Sequence, residues 1–134
     1  MNDNTELWQA MLIRLKHTLQ TLAMQADIQL GSLPDFVCKA DELALTFDHW
    51  YQCVLSNDDG TLSRQQRSAL EAIDKQLGTM TARGGVWTEE AVKNLPEWEE
   101  IRRLATEALE SLNWEVTMPP SYSFEYVPGR TDDA

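Results

Sequence analysis

The stretch FVCKADELALTFDHWYQCVL, residues 36–55, decides the fold class. Phe36, Ala40, Leu43, Phe47, Trp50 and Val54 recur at alternating steps of four and three, the spacing that stacks side chains on one face of an α-helix. Asp41, Asp48 and Gln52 fall on a polar face. Val37, Ala44, Tyr51 and Leu55 form a second apolar stripe beside the first, so the arc is wide enough for a central helix that touches more than one neighbour. Ser56-Asn57-Asp58-Asp59-Gly60 follows, a run of turn-formers that closes it.

The same period extends outward on both sides. Upstream, Trp8, Met11, Leu15, Leu19, Leu22 and Ala26 predict a helix from about Thr5 to Ala26, capped at Asn4 or Thr5, with Glu6 where the helix dipole favours an acid. Gly31-Ser32-Leu33-Pro34 interrupts the pattern, and Pro34 suits the first turn of the central helix. Downstream, Ser63 with Gln66 spells a capping box for a helix bearing Leu70, Ile73, Leu77 and Met80. Gly84-Gly85 is a joint, and Thr88 with Glu89 and Glu90 starts a short helix that Pro96 ends or restarts. Trp98, Ile101, Ala105, Ala108 and Leu112 then carry a last helix from Pro96 to about Leu112.

After Trp114 the helical period stops. Pro119-Pro120 enforces an extended path, and Tyr122, Phe124 and Tyr126 alternate with Ser123 and Glu125. The expected architecture is all-α: a small bundle of four main helices with a short extra helix and an extended C-terminal arm over residues 118–134. One domain is expected over 1–134, since half this length would bury too little surface to fold well.

Composition narrows the partners. Twenty-two acidic residues against eleven basic give a net charge of −11, a surface that nucleic acid or an anionic membrane would repel. No apolar run approaches the ~20 residues that span a bilayer, and Met1-Asn2-Asp3-Asn4-Thr5-Glu6 lacks the features of a secretory signal. The expectation is a cytoplasmic protein, with Cys38 and Cys53 as reduced thiols.

Chemistry-bearing motifs are sparse. His49 and Cys53 lie one helical turn apart, but a zinc ion normally takes four ligands, and only Cys38 and His17 remain to supply them. The run from Asn57 to Ser63 resembles half of a calcium loop. Setting Gly60 at the sixth position puts Leu55 and Gln66 where an acid and a bidentate glutamate belong. Neither histidine has the setting of a catalytic base, and Glu89-Glu90 and Glu99-Glu100 sit at helix starts, where acids are favoured anyway. No metal, cofactor or catalytic residue is therefore expected.

The remaining reading is a non-enzymatic protein-binding module. Its acidic, aromatic-edged surface is expected to use Glu89, Glu90, Glu97, Glu110, Glu115, Trp114, Tyr122, Phe124 and Tyr126, with a basic protein as partner and the chain itself a monomer or homodimer. Bacterial immunity proteins, secretion chaperones and nucleic-acid mimics share this size and charge. The alternative is a small enzyme or ligand-binding bundle with an interhelical site near His49, Asp48 and Cys53.

Overall fold

A computed structural model describes the backbone of residues 3–120 and the side chains from residue 5 onward. Six helices follow in order: α1 (Asp3–Leu22), α2 (Ala26–Gly31), α3 (Lys39–Asn57), α4 (Arg64–Thr81), α5 (Glu89–Asn94) and α6 (Pro96–Ser111). Among the described residues there is no strand, and no helix is long and apolar enough to cross a membrane. The four long helices form the expected bundle. A second short helix, α2, joins the one anticipated at Thr88.

Local chemistry explains most of the boundaries. Ser63 Oγ accepts from the Gln66 backbone N–H while Gln66 Oε1 accepts from that of Ser63, closing the capping box of α4. Thr88 Oγ1 caps α5 by accepting from the Ala91 N–H, and Pro96 opens α6. At the end of α6, Asn113 takes a left-handed conformation (φ 61°) and donates to the Glu110 carbonyl, while the Trp114 N–H reaches the Leu109 carbonyl. That pair of bonds is a Schellman motif with asparagine in the place usually given to glycine.

Three boundaries differ from the periodic reading, the first being the start of α1, which runs from Asp3 and so holds Asn4 and Thr5 inside the helix rather than at its cap. The first helix stops at Leu22 rather than at Ala26, although Ala23-Met24-Gln25 holds no helix breaker. Gln29 supplies the reason: its Nε2 donates to the Leu22 carbonyl at 2.9 Å, replacing the N–H that a continuing helix would have offered. The chain can therefore turn and start α2. The central helix begins at Lys39, because Pro34 opens a turn whose Val37 N–H bonds back to the Pro34 carbonyl. Phe36 is left in that turn, 74% exposed, off the stripe it shares with Ala40 in sequence.

The long helices stand at the corners of a square. α1 packs on α3 and on α6, and α6 packs on α4, so three edges are closed. Leu15, Leu19, Phe47, Ile73, Trp98 and Ile101 fill the centre without solvent contact. α2 and α5 cover one end and touch each other, and there the buried Arg102 joins Gln29 of α2, the Val92 carbonyl of α5 and Glu99 of its own helix. The fourth edge is different. α3 and α4 touch only sparsely despite their short connection.

Candidate functional site

The open edge is a groove between the first half of α3 and the second half of α4, the halves remote from the connecting loop. Asp41, Ala44, Leu45 and Asp48 line one wall, and Asp74, Leu77, Gly78 and Thr81 the other. Trp87, just before α5, completes the lining around about 490 Å³ of space. Helical geometry accounts for both walls. Asp41, Leu45 and Asp48 are spaced by four and three, and Asp74, Leu77, Gly78 and Thr81 stand at i, i+3, i+4 and i+7, so each set projects to one side of its helix. Trp87 is held by an edge-on contact with Trp98 at 5.8 Å, and Trp98 is in turn anchored by its Nε1 donating to the Val86 carbonyl at 2.7 Å.

The electrostatics of this edge are one-signed. Ion pairs among the described residues engage Lys39, Arg67, Arg83, Arg102 and Arg103, each with a carboxylate outside the groove. Asp41, Asp48 and Asp74 take part in none of them. Burial, then the nearby charges of Asp48 and Glu71, push the Asp74 carboxyl above its ordinary range. The Tyr51 hydroxyl, on the inner side of α3, is pushed up by burial and by the field of Asp74, Glu71 and Asp48, with Arg67 opposing. Acids collected without cations beside exposed apolar surface destabilise the free fold and favour whatever brings positive charge to them.

The residues anticipated for partner binding are divided by the fold. Glu89 and Glu90 begin α5 and Glu97 begins α6, whereas Glu110, Trp114 and Glu115 stand at the other end of α6. Glu97 and Glu110 are separated by about 20 Å of helix rise. Glu97 is largely covered and pairs with Arg83, and Glu90 accepts from Asn94 Nδ2 at 2.6 Å. Glu89, Glu110 and Glu115 are exposed. Trp114 packs against the core, and the backbone there is fixed by the buried Gln20, whose Nε2 donates to the Glu115 carbonyl at 3.0 Å. Tyr122, Phe124 and Tyr126 lie outside the described residues.

At the alternative site, Cys53 Sγ and His49 Nε2 are 3.9 Å apart on the surface side of α3. The groove takes in the neighbouring Asp48 but neither of these two side chains. No cluster of three or more potential metal ligands exists among the described residues. In the loop after α3, Asp58 Oδ1 accepts from the N–H groups of Gly60, Thr61 and Leu62, which makes this carboxylate a loop brace.

Leu45 and Gly78 were the signals within reach of a sequence reading. Leu45 interrupts the polar stripe of Asp41, Asp48 and Gln52, and Gly78 sits inside a helix. No protein-family model matches the chain, and neither the curated proteins nor the solved structures yield a match.

Proposed function

We propose that this protein is a non-catalytic, cytoplasmic binding module that holds a basic protein against its acidic open edge. The observation that carries this reading is the groove itself: three carboxylates without ion-pair partners beside the exposed Leu45 and the half-buried Trp87. Carboxylates of this kind steer a cationic partner inward, and the apolar surface between them supplies the area that holds it. The net charge of −11 extends the attraction beyond the groove, with Glu89, Glu110 and Glu115 as its outlying contributors. A toxin inhibitor, a secretion chaperone and a nucleic-acid mimic would each suit this size and charge, and the identity of the basic partner separates them.

Affinity capture from the native host, with the full chain as bait across a salt series, tests the reading. Specifically retained proteins should be basic, and their association should slow as salt rises. Retention of neutral or acidic proteins that salt does not disturb would refute it.

A further inference from the structure

We infer that the α3–α4 groove receives a short amphipathic cationic helix of the partner, about two turns long, seated over Gly78. This rests on the basic-partner reading and adds the shape of what binds. Asp41 to Asp48 on α3 and Asp74 to Thr81 on α4 each cover seven residue steps, about 10 Å or two helical turns. A gap between two bundle helices that have not closed on each other is the place where a third helix packs, ridge into groove.

Gly78 is the second observation. Glycine inside a helix is less favourable than alanine, and it is tolerated where something must approach the backbone closely. A Cβ built on Gly78 meets nothing within 4 Å. Among the described residues nothing in the packing needs a glycine there, so the described fold carries its cost without a return. Leu45 makes the same point from the opposite wall, being 59% exposed between two aspartates. A helix backbone lying over Gly78 would cover Leu45 and the open part of Trp87 with its apolar stripe and bring flanking lysines or arginines to Asp41, Asp48 and Asp74.

The sign of the charge discriminates among occupants. Residues 121–134 carry Glu125, Asp132 and Asp133 against Arg130, and a second copy of the chain brings another −11, so both are disfavoured beside the groove carboxylates.

The test uses the full chain and two synthetic peptides of one composition, about fourteen leucines and lysines. One is ordered as an amphipathic helix and the other scrambled to have no apolar face. The ordered peptide should bind about tenfold or more tighter, equivalent to ~1.4 kcal/mol, and shift the amide resonances of Leu45, Leu77 and Gly78 and the indole of Trp87. Gly78→Leu, which fills the slot, should abolish that preference. Gly78→Ala should melt at a higher temperature than the wild type and yet bind the ordered peptide more weakly, a combination that a merely structural glycine would not produce. Equal, salt-sensitive affinity for both peptides, or ordered-peptide binding that Gly78→Ala leaves unchanged, would overturn the helix slot and leave the basic-partner reading standing. Binding of neither peptide at low salt would overturn both.

Discussion

Replacing Gln29 with leucine should destabilise the fold far more than a change of one uncharged side chain on a short helix suggests. Gln29 is fully buried, and its amide is used in both directions, Nε2 toward the Leu22 carbonyl and Oε1 toward Arg102 Nη1, each at 2.9 Å. Leucine leaves both partners in place without their bonds. An orphaned buried carbonyl costs about 1–2 kcal/mol and a buried charged donor that loses a bond about 1.5–3 kcal/mol, so the total is roughly 3–5 kcal/mol. In a chain of this length that lowers the melting temperature by roughly 10–20 °C.

Arg102→Met removes the charged donor. In the Gln29→Leu background it should therefore restore part of the loss, giving a coupling energy of about 1.5–3 kcal/mol. Urea unfolding of the wild type, both single variants and the double variant measures this directly. A Gln29→Leu protein as stable as the wild type, or strictly additive effects, would refute the assignment of Gln29 as the bolt between α1, α2 and α6.

Two carboxylates should respond to pH with opposite signs. The Asp74 carboxyl is raised above its ordinary 3.8, so the folded state takes up the proton first, and its destabilising effect at neutral pH is relieved as pH falls through the raised value. Asp74→Asn should be more stable than the wild type near pH 7 and lose that advantage in acid. Glu100 is held below its ordinary 4.5 by a hydrogen bond from Arg103, so its contribution is present above that value and lost as pH falls through the lowered one. Glu100→Gln should cost stability near neutrality and nothing once the carboxyl is protonated; unfolding curves collected from neutral to acid pH check both signs. At the helix ends, Asn113→Gly should be tolerated while Asn113→Ala and Thr88→Ala each cost about 1 kcal/mol, measured by thermal denaturation.

Residues whose role is local were legible in the sequence. Ser63 and Gln66 satisfy each other within one turn, Thr88 caps the helix immediately after it, and Pro96 needs only its own ring to open α6. Features that depend on a distant side chain were not. Nothing near Ala23 announces a break, because the group that permits it, the Gln29 amide, is itself held by Arg102 across the fold. Phe36 shares its spacing with Ala40 but not its fate, since Pro34 commits that stretch to a turn.

The candidate site was half legible for the same reason. Asp41 and Asp48 read as an ordinary solvated face. That Leu45 stays uncovered follows from α3 choosing α1 and α4 choosing α6, a pairing no single helix encodes. The acidic residues of α5 and α6 were named for their charge, and charge along a sequence carries no information on which of them share a surface.

The location of binding is the central claim, and two triple variants of equal charge test it most directly. Asp41→Asn/Asp48→Asn/Asp74→Asn neutralises the groove, and Glu89→Gln/Glu110→Gln/Glu115→Gln neutralises exposed acids elsewhere. Each removes three charges from −11 and leaves −8. Association and dissociation rates with the basic protein recovered by affinity capture should separate them. The groove variant should lose about 100-fold in affinity with faster dissociation, and the other should associate only about two- to threefold more slowly with its dissociation unchanged. Equal losses, or a larger loss in the second variant, would contradict the groove as the binding site.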